Sequence, residues 1–205
     1  AAPRGIVGRR RAGGAGAQTD EVEVARVMRA GRGLGGVRGA ARTVDAPDWL
    51  IGAGVLRNCV WDHLFGLSER TPPADVDLAF FDPSNLTPAG DAAVTAALRA
   101  ERPNVPWEAT NQAAVHCWYA NSYGGDPPAP LQSSADGVVT WPETATSVAV
   151  RLLADDSLHI VAPCGLTDLL NGILRRNPRR VSVAQFQARL AAKRIGQLFL
   201  FIHLL

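Results

Sequence analysis

Two aspartates separated by one residue, Asp75 and Asp77, are the part of the sequence best suited to bind a metal ion. In a β-strand, residues two apart point to the same face, so these carboxylates are expected to lie side by side. Two carboxylates held together repel each other unless a cation lies close by. Mg²⁺ prefers oxygen ligands and is commonly bound by one or two carboxylates together with substrate phosphates. The pair therefore predicts a Mg²⁺ site of the kind used in phosphoryl-group chemistry.

A glycine-containing turn lies upstream of this pair, at Gly52, Ala53 and Gly54. A strand that turns into a helix presents backbone N–H groups at the helix N-terminus, and glycine lets a phosphate approach them closely. We therefore assign these three residues, and Arg57 one turn further on, to binding a nucleoside triphosphate (NTP). Taken alone, the glycine motif is ordinarily explained as a tight turn. The aspartate pair alone is ordinarily explained as a solvated strand face. The order strand, turn, helix, loop, strand and aspartate pair is more specific than either motif.

Hydrophobic periodicity predicts the elements that hold these residues. Short apolar or alternating runs predict strands at 49–51, 75–81 and 107–115, and a hairpin formed by 147–153 and 158–161. Apolar residues at helical spacing predict helices from Thr19, from Val55 to Gly66, over 88–101, over 165–176, and from Ser182 to about Ile195. The glycines between 31 and 39 predict a loop. Together these elements predict an α/β (α+β) fold.

The motifs resemble those of the DNA polymerase beta-type nucleotidyltransferase superfamily, whose signature is a strand, Gly-Gly or Gly-Ser, a helix and then Asp-x-Asp. A closer resemblance is to a bacterial nucleotidyltransferase-like family of undefined substrate. It rests on WLIGAGVLRNCVWDHLFG (49–66), PPADVDLAFFDP (72–83), WEATNQAAVH (107–116), WPETATSVAVRL (141–152) and APCGLTDLLNGILRRNP (162–178). The resemblance implies a mixed β-sheet flanked by helices. It also implies transfer of a nucleoside monophosphate from an NTP, with release of pyrophosphate.

The resemblance further implies a third acid on a later strand, which helps to deprotonate the attacking hydroxyl. Glu108, beside Trp107, is the candidate, because an acid at a strand entry is placed to face Asp75 and Asp77; a surface glutamate is the equally good alternative. Asn111 is a candidate for contact with base or ribose, with a hydrogen-bonding core residue as the alternative.

Several other polar residues have plain structural explanations. His63 lies among apolar helix positions and is expected to be a core histidine, and Glu143 and Asp168 are expected to have no catalytic role. The arginines after residue 174 form a basic cluster that suits either a phosphate or RNA contact or an ordinary solvated surface. Its members are Arg175, Arg176, Arg179 and Arg180.

Composition sets the remaining expectations. The net charge is only +2, which argues against a protein that coats nucleic acid. Residues 1–18 are rich in Arg, Gly and Ala and are expected to form a disordered tail, with a domain over 19–197 and an apolar tail of unclear status over 198–205. No apolar run reaches the roughly 18 residues that span a bilayer. Three widely spaced cysteines predict neither a metal site nor disulfides, consistent with a cytoplasmic protein.

Two functions remain open. The first is a Mg²⁺-dependent nucleotidyltransferase whose acceptor is a small molecule, a protein or RNA. The second is a catalytically inactive domain of the same fold that binds nucleotides or other proteins. Retention of both Asp75 and Asp77 favours the enzyme, whereas the alanine within the glycine turn favours the inactive domain.

Overall fold

The computed structural model describes residues 14–31, 34–124, 126–179, 181–193 and 203–204. The helices are α1 (Gly14–Ala30), α2 (Leu34–Val44), α3 (Gly54–Leu64), α4 (Pro88–Glu101), α5 (Val115–Tyr123), α6 (Ser134–Val139), α7 (Thr167–Leu170) and α8 (Val183–Lys193). The strands are β1 (Leu50–Gly52), β2 (Val76–Phe80), β3 (Trp107–Asn111), β4 (Ala149–Leu152), β5 (Leu158–Val161), β6 (Ile173–Leu174) and β7 (His203–Leu204). Among these described residues, no helix is long and apolar enough to cross a membrane.

Five of the strands form one mixed sheet in the order β3-β2-β1-β4-β5. Strands β2 and β3 are parallel, and the other neighbouring pairs are antiparallel. The short strand β1 lies at the centre, between β2 and β4. A separate two-stranded ribbon pairs β6 with β7 in parallel. The chain is thus a mixed α/β fold with a sheet flanked by helices, as the sequence predicts.

The two faces of the sheet differ in character. One face, which we call the core face, carries the main hydrophobic cluster and is covered by α2, α3 and α4. Its strand residues alternate with those of the other face, as the period of a strand requires. They include Ile51, Val76, Leu78, Phe80, Trp107 and Val150. The opposite face, which we call the acid face, has only a small apolar cluster around Leu50, Val138 and Ala149.

Most of the expected elements are confirmed. Helices α3 and α4 and strands β1 and β2 lie where the periodicity places them, and β4 and β5 form the expected hairpin. Strand β3 begins at Trp107 as expected but ends at Asn111, before a short 3-10 turn and α5. The last helix is capped as expected. The Ser182 hydroxyl accepts from the backbone N–H of Gln185 at 3.2 Å, and the Gln185 side chain accepts from the Ser182 backbone N–H at 2.8 Å. This reciprocal pair satisfies two N–H groups at the start of α8.

Three expectations about secondary structure are corrected. The glycine-rich segment is not a loop, because α2 runs from Leu34 to Val44 and buries Leu34 and Val37 against the core; packing outweighs the low helix propensity of glycine. The helix expected over 165–176 ends at Leu170, since Gly172 has φ +65° and the chain then enters β6. Helix α1 begins at Gly14, so the last residues of the expected 1–18 tail are helical, while residues 1–13 lie outside the described part.

The apolar C-terminal segment is described only at His203 and Leu204, which pair with Ile173 and Leu174. The backbone N–H of His203 also donates to the Gly172 carbonyl at 2.9 Å. These two residues therefore add a strand to the ribbon. Residues 198–202 and 205 lie outside the described part of the chain.

Candidate active site

Three neighbouring strands bring the candidate acids together on the acid face. The antiparallel register sets Gly52 opposite Asp77, and the parallel register sets Asp77 beside Glu108. Residues directly paired on adjacent strands point to the same face, and Asp75 precedes Asp77 by two residues. The fold therefore gathers Asp75, Asp77 and Glu108 on one face beside a glycine, which is the arrangement that the sequence predicts for them.

Asp77 is the most electrostatically perturbed of these acids. Burial, followed by the negative charges of Asp75 and Glu108, raises its pKa to about 7, while Lys193 and Arg189 act in the opposite direction. A carboxyl group in this state holds its proton near neutrality unless a cation approaches. Closely spaced carboxyl groups of this kind favour the binding of a cation.

Helix α8 supplies two cations to this face. The Lys193 ammonium donates to the Asp75 carboxylate at 3.0 Å. The Arg189 guanidinium pairs with Glu143, whose side chain is fully buried and also accepts from the Thr146 hydroxyl at 2.6 Å. Glu143 therefore positions Arg189.

A cavity of about 590 Å³ opens above the acids. Its floor is formed by Asp77, Ala79, Glu108 and Thr110, and α8 contributes Gln185, Arg189 and Lys193. Three aromatic residues of α5 and Trp141 form much of the remaining wall. The α5 residues are Trp118, Tyr119 and Tyr123. Its size lies within the range of small-molecule sites, roughly 300–1,000 Å³.

The predicted phosphate turn is tightly constructed. A Cβ on Gly52 would lie 2.4 Å from the Trp141 ring and 2.8 Å from the Val148 carbonyl, so only glycine allows this ring to pack on β1. Ala53 has φ +59° and ψ −129°, a conformation that a residue with a side chain rarely adopts. Its backbone N–H donates to the Val148 carbonyl at 3.2 Å, and Gly54 begins α3. The turn thus stores strain next to the acids.

Arg57 and Asn111, both predicted to contact nucleotide, are buried. Arg57 lies on α3 with its guanidinium over the Trp61 ring and bonded to Asn58, not on a solvated side of the helix as its polarity suggests. The charges of Glu143 and Asp75 partly oppose the fall in its pKa that burial causes. The Asn111 side-chain oxygen and amide nitrogen both bond to backbone groups, including those of Asp82. These bonds fit the alternative interpretation of Asn111 as a hydrogen-bonding core residue.

The cavity lining includes Asp77 and Glu108 but not Asp75, the turn, Arg57 or Asn111. Asp75 and the turn border the same face through the strand register. Within the part of the chain that the structure describes, no three His, Cys, Asp or Glu side chains are grouped closely enough to bind a metal by themselves.

Other polar residues fall outside this site. His63 is half exposed and contacts Arg26, so the expected core histidine is wrong: the helix turns Trp61 inward and His63 outward. Asp168 bonds the Thr144 hydroxyl and Arg175. In the basic cluster, Arg175 is thus paired with an acid and Arg176 donates to the Val181 carbonyl. Arg180 lies outside the described residues.

The cations of α8 and the aromatic residues of α5 are not evident in the sequence motifs. The available signal was the spacing of Gln185, Arg189 and Lys193, which repeat every four residues and therefore share one helix face. Nothing in the sequence indicates that this face packs against acids more than one hundred residues away.

Comparisons with known proteins agree with this geometry. A family model described as nucleotidyltransferase matches residues 39–204, which is most of the chain. An NMR structure described as revealing a CCA-adding enzyme head domain superposes with a TM-score of 0.73 and 25% identity, covering 90% of this chain and 95% of that one.

Two larger structures match more weakly. A tRNA-processing enzyme complex has 17% identity and a TM-score of 0.49, with 82% of this chain and 43% of that chain covered. A CCA-adding enzyme in complex with CTP has 15% identity and a TM-score of 0.47, with 92% and 43% covered. This chain therefore spans less than half the length of either. A comparison with curated proteins found no match.

Proposed function

Because the chain belongs to a family of nucleotidyltransferases, we propose that its acid face binds Mg²⁺ and an NTP and transfers the nucleoside monophosphate to an acceptor hydroxyl. The observation that supports this most directly is the row formed by Gly52, Asp77 and Glu108 across three strands, with Asp75 beside it. The cavity above this row is large enough for a small molecule and carries both acids and cations.

The donor set fits a magnesium ion shared with a substrate. Asp77 is a buried carboxyl with a raised pKa, and its neighbour Asp75 is balanced by a lysine. Two carboxylates plus phosphate oxygens make a common Mg²⁺ environment, which explains why a third protein ligand is not required. When bound, the ion would neutralise charge on the transferring phosphoryl group. Asp75 and Asp77 are the residues that would hold it.

The phosphates are proposed to lie between the turn at Gly52, Ala53 and Gly54 and the cations of α8. The first N–H groups of α3 have no partners within the helix, and its dipole favours an anion. Lys193 and Arg189 approach from the other side of the acids. In this arrangement Lys193, which now pairs with Asp75, would be placed to bond to a phosphate as well. Arg57 contributes positive charge from below the turn.

Glu108 is proposed as the base for the acceptor hydroxyl. It is exposed, lines the cavity, and lies beside Asp77 on the edge strand β3. An acceptor therefore reaches it from solvent without passing the turn. Asn111 shapes the end of this strand through its backbone bonds, and we do not propose that it contacts the nucleotide.

We propose further that the acceptor is a small molecule, a protein or RNA, and that the protein is a cytoplasmic bacterial enzyme. The three cysteines, Cys59, Cys117 and Cys164, are all free, as expected for a reducing compartment.

A catalytically inactive domain of the same fold is the second candidate. Two observations favour it: Lys193 already neutralises Asp75, and Ala53 occupies a strained position where the superfamily signature has glycine or serine. Such a domain would bind nucleotide without turning it over.

Transfer of label from an NTP to an acceptor distinguishes the enzyme from the inactive domain. The protein is incubated with Mg²⁺, each of the four NTPs labelled at the α-phosphate, and separate small-molecule, protein and RNA fractions from a bacterial lysate. We expect one fraction to gain label with the parent and with Asp156→Asn, which alters an exposed acid on the β4–β5 turn. Asp77→Asn should abolish the transfer. Nucleotide binding without label in any fraction would establish the inactive domain instead.

A further inference from the structure

The aromatic residues of α5 form a continuous surface along one side of the cavity. The Tyr119 and Tyr123 ring centroids are 4.9 Å apart, and Trp118 lies 6.2 Å from Tyr119 and 6.4 Å from Tyr123. All three line the cavity that contains Asp77 and Glu108. Tyr123 remains 60% exposed, which is unusual for a ring of this size on a helix packed into a domain.

The same cavity therefore has two chemically different parts. One part carries the acids and the cations of α8, and the other carries the three rings. A single ligand that suits both parts needs a polyanionic end and a flat ring joined by a short connector. An NTP has this composition, because its phosphates suit the cations and metal and its base suits an aromatic surface.

We propose that Trp118, Tyr119 and Tyr123 form the surface on which the base of the NTP stacks. This inference rests on the proposed function and assigns a base-binding surface to it. Stacking uses the face of the base, which every base has, so it tolerates base identity but strengthens with ring area. The structure therefore points to a site that binds ATP and GTP more tightly than CTP and UTP.

The position of α5 explains why this surface lies near the acids. Helix α5 follows β3 after a short 3-10 turn at Gln112–Ala114, and β3 carries Glu108. The Asn111 side chain caps that turn by accepting from the Ala113 N–H at 3.1 Å. The buried Asn111 thus fixes the start of the aromatic helix relative to the acids.

Binding of two ligands tests the proposal. Affinities for a non-hydrolysable ATP analogue and for inorganic tripolyphosphate are measured with Mg²⁺ by calorimetry, on the parent and on Tyr123→Ala, Trp118→Ala and Tyr123→Phe. Both alanine variants should bind the analogue about 5- to 100-fold more weakly, the range expected for loss of one stacking contact. Their affinity for tripolyphosphate should stay within about twofold of the parent, and Tyr123→Phe should resemble the parent.

Leu86→Ala serves as the control, since Leu86 is 39% exposed and lies outside the cavity lining. Melting curves establish that each variant is folded, and Tyr123 offers a site where truncation leaves the core intact. Equal losses for both ligands, or unchanged binding of the analogue, would overturn the stacking surface while leaving the phosphate site standing. A parent that binds neither ligand would overturn the proposed function as well.

Discussion

The core face and the acid face of the sheet are made by the same strands but differ in the burial and charge of their side chains. On the core face, Val76, Leu78 and Phe80 are almost fully buried within the main apolar cluster. On the acid face, the alternate residues Asp77 and Ala79 lie under a cavity, and Asp77 is forced close to two other acids. One face contributes stability and the other holds groups that oppose it, which is the pattern expected where side chains are kept together for function.

The largest expected contrast concerns Asp77→Asn. The substitution keeps the shape of the side chain but removes a negative charge that we propose binds Mg²⁺, so any nucleotide transfer should fall by about 1,000-fold or more. Without metal, the variant should be as stable as the parent or more stable at pH 8, because repulsion with Asp75 and Glu108 is relieved. Activity assays and melting curves, each with and without Mg²⁺ and NTP, measure both effects. A destabilised variant with an unchanged ligand-induced shift in Tm would show that Asp77 is structural.

Leu78→Ala, one residue after Asp77, should have the opposite effect: it should lower stability and leave transfer almost unchanged. Leu78 has no exposed surface and lies within the main apolar cluster. Truncation should cost about 3 kcal/mol of unfolding free energy, through lost burial and an unfilled cavity. Residual transfer per folded molecule should stay close to that of the parent. Urea unfolding curves measure the loss, and a cost below about 1 kcal/mol would mean that the two faces differ less than the burial indicates.

Stability should depend on pH through Asp77. Its pKa in the folded protein is about 7, above the ordinary value of 3.8, so the folded state binds the proton more tightly than the unfolded state. The unfolding free energy should therefore fall as pH rises from about 4 to 7 and then level off, with a total contribution of about 4 kcal/mol. Asp77→Asn should lack this component. Denaturation of both proteins between pH 4 and 8 without metal tests it; parallel pH profiles would contradict it.

The smallest expected effect is at the turn beside the acid face. Ala53→Gly should relieve the strain of a side chain at φ +59°, although glycine also loses more freedom on folding. The net gain should be about 1 kcal/mol, visible as a higher Tm. Ala89→Gly, at the start of α4 where the helix needs no positive φ, is the matched control and should lower stability. A loss of stability for Ala53→Gly would mean that the alanine methyl makes favourable contacts.

The sheet and the position of the acids follow from local sequence patterns. Alternation in 75–81 and the turn at Gly52 are features of adjacent residues, so β1, α3, β2 and the neighbouring acids could all be predicted. Register between strands could not be read in the same way, yet Glu108 was placed by its position at the entry to the next strand, and the structure sets it beside Asp77.

The errors arise where distant contacts overrule local preference. Helix α2 forms despite its glycines because Leu34 and Val37 reach the core, and the stripe over 165–176 is interrupted at Gly172, where the backbone turns. Only tertiary packing brings the cations of α8 to the acids and the rings of α5 to the cavity above them. Sequence periodicity indicated the helix that carries Arg189 and Lys193 but not the element that it faces.

Helix α8 also sets the order in which the site can be assembled during translation. The ion pair between Lys193 and Asp75 spans 118 residues. At ordinary rates of synthesis, the ribosome needs on the order of ten seconds to add that much chain. For the later part of this interval a nascent chain can already contain β1, β2 and β3 while lacking the two cations of α8. On the proposed function, nucleotide binding would therefore wait until α8 docks and brings its cations to the acids.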